Sequence, residues 1–455
     1  MEIKELENRL DSFDKDVRLE TLHLLREKVD TCKLAHPEKT DFINLHCHSF
    51  FSFNAYGYSP AHIVWRAFKE GLAVVGIVDF DILDGVEEML EAGRILNMKV
   101  VAGIETRVFI KEYSDKVINS PREPGVYYLM GTGFYKKPVP GSTSDDTIIK
   151  LGAITRRRNL MILERINNFL NELQIDYKHD VLPLTPGGNA TERHILVVLE
   201  KKARDVFNNA REKLISFWAE KLQINRDKIS SVLDSPPELQ ELLRLKLMKY
   251  GTIGYVLPEK GSFPTLEEVI DMIEDSDALP AAAWLDGTNE GEREIEQLLK
   301  FLIVKGILLL NIIPDRNWNI KDEEEKKAKV RNLDQVIKTA NELDLPIIVG
   351  TEMNKMGQKF VDDFTVPELS SYLDYFRKGA LFVYGHTQLA RFFNKGYNSC
   401  WAKENLAGHT ERNSFYIKIG EVMQPDYDYE NLKRMKEDNI SPDEILHLLG
   451  RTTLL

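Results

Sequence analysis

Two histidines one residue apart, in Leu45-His46-Cys47-His48-Ser49, stand where an apolar run ends. In extended backbone, residues two apart point to the same face, so His46 and His48 can grip one ion while Cys47 points away. Neutral imidazole nitrogens suit zinc, iron or manganese at about 2.0–2.2 Å. Acidic groups close other apolar runs: Val78-Asp79-Phe80-Asp81, Gly103-Ile104-Glu105-Thr106-Arg107 and, late in the chain, Thr351-Glu352-Met353-Asn354. Glu105 can give an ion one or two oxygens, or bridge two ions. Asp79 and Asp81 could coordinate too, although Asp81 reads better as the cap of a helix beginning near Asp84. Arg107 follows Glu105 by two residues, shares its face and suits an anion, because guanidinium matches phosphate oxygens two at a time.

The elements that must bring these groups together are apolar runs at 42–46, 73–79, 99–105, 126–134, 280–284, 307–313, 346–350 and 380–385. Nearly unbroken apolarity is what a parallel strand covered on both faces needs. Between them lie helical patterns. Ser59-Pro60 offers a cap and a first-turn proline before AHIVWRAFKEG, and Gly71 stops that helix. Further helices fit 84–97, 148–173, 191–222, 265–275, 289–305 and 322–343. The alternation predicts α/β architecture with a parallel sheet, closed into a barrel by seven or eight units or left open and doubly wound. In a closed barrel the strand ends share one rim, where active sites sit. The predicted organisation is a helical extension over 1–40, a barrel in two parts over 41–202 and 261–420, a helical insertion over 203–260 and a helical tail over 421–455.

The chain has 455 residues and a net charge of -12, from 72 acidic and 60 basic side chains, which argues against broad nucleic-acid binding. Neither a secretory signal nor a membrane-spanning run is evident, so a cytoplasmic protein is expected. Cys32, Cys47 and Cys400 are scattered, which suggests neither a disulfide framework nor a thiolate zinc cluster.

Taken together, the motifs resemble those of the polymerase and histidinol phosphatase (PHP) superfamily, metal-dependent phosphoesterases on a distorted seven-unit βα barrel. The family's opening His-x-His, followed by serine and a Ser-Pro helix, is similar to His46, His48, Ser52 and Ser59-Pro60. Its second motif looks like Val78-Asp79-Phe80-Asp81, its Gly-x-Glu like Gly103-Ile104-Glu105, and its closing motif like Gly350-Thr351-Glu352-Met353-Asn354. An arginine-rich helix and an Arg-Pro-His-Ile segment resemble Arg156, Arg157, Arg158 and Arg165, then Glu192-Arg193-His194-Ile195. The resemblance implies a distorted (β/α)7-type barrel with a helical insertion and terminal helical extensions. It also implies one divalent ion, zinc, manganese or iron, held by His46, His48, Glu105 and Glu352. A second ion on Glu105 and His194 is a weaker expectation.

Departures from the family pattern are equally specific. Phe80 and Asn354 replace metal-binding histidines, and Trp284 occupies a third ligand position, so a full three-metal site is not expected. The implied activity is hydrolysis of a phosphoester in a small molecule or nucleotide. Asp79 would orient water or take its proton, and Arg107, Arg158, Arg165, Arg193 and Asn354 would meet substrate. The competing readings are a degenerate barrel used for ligand binding or assembly, and a one-metal enzyme of other chemistry. Self-association is left open. Among other groups, His62, His447 and Arg156 read as surface residues, Cys47 as a packed thiol, and His386 as a minor candidate for the same rim.

Overall fold

In the computed structural model, which describes residues 2–31, 33–258, 262–426, 429 and 432–452, seven of the apolar runs are strands. They are β1 (Ile43–Cys47), β2 (Val74–Phe80), β3 (Lys99–Phe109), β4 (Val126–Thr132), β5 (Leu279–Trp284), β6 (Leu309–Ile312) and β7 (Ile347–Val349). Their order in the sheet is their order in the chain. The sheet nearly closes: Glu352 N donates to His46 O at 2.7 Å and His48 N to Glu352 O at 2.8 Å, which stitches the end of β7 to β1. The fold is therefore mixed α/β, with a distorted barrel-shaped sheet and many added helices. Cys32 and residues 259–261 and 453–455 lie outside the described residues.

Two expectations need correction. The first concerns β4, which runs antiparallel to both β3 and β5. It follows β3 with only a short 3-10 turn at Lys111–Tyr113 and no crossover helix to carry the chain back across the sheet, so the strand returns antiparallel to its neighbour. The second is the run at 380–385, which lies inside a helix, Leu373–Phe393. Residues 379–390 of that helix are all buried, so it is apolar all round and shows no helical stripe.

Reversing β4 decides where the next helix starts. Thr143–Phe169 begins at the barrel base, where Ser144 Oγ donates to Asp275 Oδ2 at 2.9 Å. Its 27 residues span about 40 Å, enough to climb past the rim. The lower half joins the barrel core through Leu151. The upper half joins a second apolar cluster through Ile162, Leu163 and Ile166. That cluster also takes in the helices Glu192–Val206, Arg211–Leu222, Arg226–Val232 and Pro236–Leu243. Among the described residues no helix is long and apolar enough to cross a membrane.

Candidate metal centre and its cavity

β1 and the residue just beyond it deliver His46 and His48, while β3 delivers Glu105. One ring nitrogen of each histidine and one carboxylate oxygen of Glu105 all lie within 4.8 Å of one another, and all three residues are buried. The Nε2 atoms of His46 and His48 stand 3.6 and 3.2 Å from Glu105 Oε2.

Hydrogen bonding around the trio fixes which atoms are free. Ser52 Oγ donates to Asp79 Oδ1 at 2.8 Å, and the hydroxyl has no other proton to give. At 3.1 Å from His48 Nδ1, it therefore accepts from that nitrogen. The neutral ring then aims the Nε2 lone pair at a carboxylate oxygen, acceptor against acceptor. A cation between them resolves the clash. It can be a proton: burial resists a charge on His48, but the hydrogen bond and charge of Glu105 raise its pKa. Burial alone would push the Glu105 carboxyl up, but the neighbouring His46 and His48 hold it well below the usual range. A proton leaves one group unsatisfied, because both ring nitrogens of His46 are buried without a hydrogen-bond partner. Buried polar atoms are rarely left so. A metal ion gives His46, His48 and Glu105 a common partner, so the donor set fits one.

Around this floor the remaining candidates are placed as follows. Asp79 accepts from Ser49 N at 2.7 Å, Ser49 Oγ at 2.6 Å and Ser52 Oγ, so it stands behind His48 and does not line the cavity. Burial pushes its carboxyl up, against the lowering effect of those serines. Metal-bound histidines characteristically rest on such a chain, and its loss typically weakens affinity by about 10–100-fold. A Ser52→Ala variant should therefore bind manganese about tenfold more weakly, as read by competition with a fluorescent chelator.

Glu352 reaches the same floor in a left-handed backbone conformation, φ 63°. Its carboxylate does not join the compact trio. Oε1 accepts from Arg316 Nη2 at 2.6 Å and Oε2 from Gln358 Nε2 at 3.2 Å. His194 is the reciprocal partner in a helix cap, with Nδ1 accepting from Thr191 N at 3.0 Å. Burial pushes its pKa down to about 4, so the neutral ring keeps its proton on Nε2. Asp81 is not a helix cap. The following helix starts at Val86 behind Gly85, and Asp81, at φ 60°, accepts from Thr106 Oγ1 and Thr155 Oγ1, both at 2.6 Å. Its left-handed turn swings the carboxylate away from that helix, toward β3 and the long climbing helix. Burial raises it to about 6. His386 lies on the buried helix away from the rim, with Nε2 on Asp277 O and Nδ1 accepting from Tyr397 N.

Above the floor opens a cavity of about 590 Å³ lined by His48, Glu105, Glu352 and Asn354 together with a group of cations. Arg107 is there, its Nε buried without a partner and its guanidinium 4.5 Å from the centre of the Phe263 ring. Arg158 and Arg193 line it too, whereas Arg165 donates to Tyr255 O outside it. Burial and then the neighbouring Arg107 lower the pKa of Arg158, and burial and then Arg244 lower that of Arg193. Glu123 stands 3.6 and 3.8 Å from Arg107 and Arg158, and Glu241 and Glu192 pair with Arg193 and Arg244, but the lining still holds more basic than acidic side chains, which suits an anion. Arg244 and Lys249, on the wall beyond the rim, and Arg316, at the end of β6, were missed by sequence reasoning. Arg316 follows a strand-like run at a strand end, a signal that could have found it; Arg244 and Lys249 carry none.

No family model and no curated protein matches the chain. Among solved structures, a candidate metal-dependent phosphoesterase from Bifidobacterium adolescentis ATCC 15703 is 17% identical, with a TM-score of 0.46 over 74% of this chain and 97% of its own. An amidohydrolase from Chromobacterium violaceum, solved with sulfate and no metal, is 16% identical, with a TM-score of 0.45 over 73% of this chain and 95% of its own.

Proposed function

We propose that the protein is a metal-dependent hydrolase of the PHP type, acting on a phosphoester in a small molecule or nucleotide. The observation that carries this reading is the buried His46, with both ring nitrogens unpartnered, set beside His48 and Glu105 beneath a cavity rich in arginine. His46, His48 and Glu105 would hold one divalent ion, with zinc, manganese and iron all suited to the donors. Such an ion supplies Lewis-acid chemistry, acidifying water and polarising a phosphoryl oxygen.

The chain's own groups supply the rest. Asp79 holds Ser52, and Ser52 fixes the His48 tautomer that keeps a lone pair on Nε2. Arg107, its Nε unpartnered, and Arg158, both largely buried, bind the substrate's phosphate oxygens where charge counts for more than in water. Arg193 and Asn354, which both line the cavity, contact the substrate. With Phe80 and Trp284 at positions that would serve further ions, the site works with one.

Testing this requires the manganese-loaded and zinc-loaded protein and a panel of phosphomonoesters, phosphodiesters and carboxylic amides. Metal-dependent turnover of a phosphoester, lost in His46→Ala, is the expected result. Stoichiometric metal with hydrolysis of amides alone would move the protein to another chemistry.

A further inference from the structure

Beyond the proposed ligand set and the arginines already assigned to substrate, we infer that Arg316 is a substrate-binding cation beside the metal floor and that Glu352 is its positioning residue. The inference rests on the reading of this cavity as a phosphoester site. Four observations support it.

Arg316 sits on the short helix Asp315–Trp318, directly after β6, and lines the cavity together with His48, Glu105 and Glu352. That helix is held from behind: Asn317 Nδ2 donates to Leu285 O at 2.9 Å and to Ile313 O at 3.1 Å. The guanidinium spends one N–H group on Glu352 Oε1 at 2.6 Å, and Gln358 holds the other carboxylate oxygen at 3.2 Å. A guanidinium has five N–H donors, and the Arg316 side chain is 43% exposed, so most of its donors remain for a ligand in the cavity.

The chemistry of the neighbouring positions gives this placement its meaning. Transfer of a phosphoryl group concentrates negative charge on its oxygens, and a single ion leaves part of that charge unmatched. Phe80 and Asn354 bring no charge, and the Trp284 indole is buried with its N–H unpartnered. Arg316 is the cation bonded directly to Glu352 at the edge of the floor, with its fork anchored on one prong. A guanidinium in that place supplies a fixed positive charge without a ligand set of its own.

The test is a calorimetric titration of inorganic phosphate into the full chain, once loaded with manganese and once treated with chelator, with manganese content measured in parallel. Arg316→Ala should keep the parent's manganese and bind phosphate about 10–100-fold more weakly, the loss of a charge-assisted hydrogen-bonding group. Arg316→Lys should recover only part of that affinity, since an ammonium cannot present a fork. Glu352→Gln should keep manganese and lose a smaller share of phosphate affinity. If Arg316→Ala binds phosphate within twofold of the parent, the inference is wrong. Loss of manganese in Glu352→Gln would overturn the positioning role and place that carboxylate among the ligands. A parent protein that takes up no manganese would sink the proposed function, while the chelator-treated titrations would still report on Arg316.

Discussion

The His46→Ala, His48→Ala double variant should fold normally and carry less than about one hundredth of the parent's affinity for manganese, a loss beyond that typical of a supporting residue. Both imidazoles are buried, at 2% and 4% exposure, and no ordered group other than Glu105 shares their Nε2 atoms. With both rings gone, Glu105 is a lone carboxylate, which binds a divalent ion weakly in competition with water. Elemental analysis after dialysis without chelator measures the outcome, and far-ultraviolet circular dichroism confirms the fold. Equal metal in parent and variant would remove the centre from which the proposed chemistry starts. A subtler variant probes the same floor. At Gly350 a β-carbon would stand 2.4 Å from both Asn44 Oδ1 and His46 N, so Gly350→Ala must push β1 and the residue it carries.

The second large effect is on stability. Gly385 and Gly420 face each other's helices, Leu373–Phe393 and His409–Val422. A β-carbon at Gly385 would lie 2.0 Å from Tyr416 O, and one at Gly420 would lie 2.0 Å from Leu381 O. Both obstacles are backbone carbonyls, which cannot rotate aside, so the helices must part. Either alanine should cost about 3 kcal/mol, the upper end of ordinary overpacking. A urea titration followed by tryptophan fluorescence reads this as a lower midpoint. Gly152→Ala is the control with opposite sign: it lies in the Thr143–Phe169 helix with nothing within 4 Å of a β-carbon. It should gain up to about 1 kcal/mol of helix propensity. A destabilised Gly152→Ala, or a neutral Gly420→Ala, would show that the packing described here is wrong.

What was legible in the sequence follows from the range over which each signal acts. His46 and His48 are set by period-two geometry within one strand, and Ser59 caps its helix through His62 N, as the Ser-Pro pair predicts. Strand direction is different. Nothing in VYYLMGT distinguishes a parallel from an antiparallel neighbour; the lack of a crossover helix in the preceding connection does. The run at 380–385 shows the limit of apolar runs as strand markers, since a helix sandwiched between a sheet and another helix is just as uniformly apolar. Within the site, residues at strand ends could be found one by one. The partnership of Glu352 with Arg316 could not, because a carboxylate at a strand end reads equally as an ion ligand or as one half of an ion pair. The basic wall contributed by Arg244 and Lys249 comes from a short helical turn and the residue just after it, whose surface looks like any solvated surface until it folds over the rim.

The floor that would hold an ion belongs to one apolar cluster, and much of the wall that would greet a substrate belongs to another. Such a division lets reactivity and selectivity drift at separate rates. Under the proposed function, exchanges among Arg193, Arg244 and Lys249 would retune which anion enters without disturbing the imidazoles below. A lineage built on this plan could therefore diversify its diet while conserving its furnace.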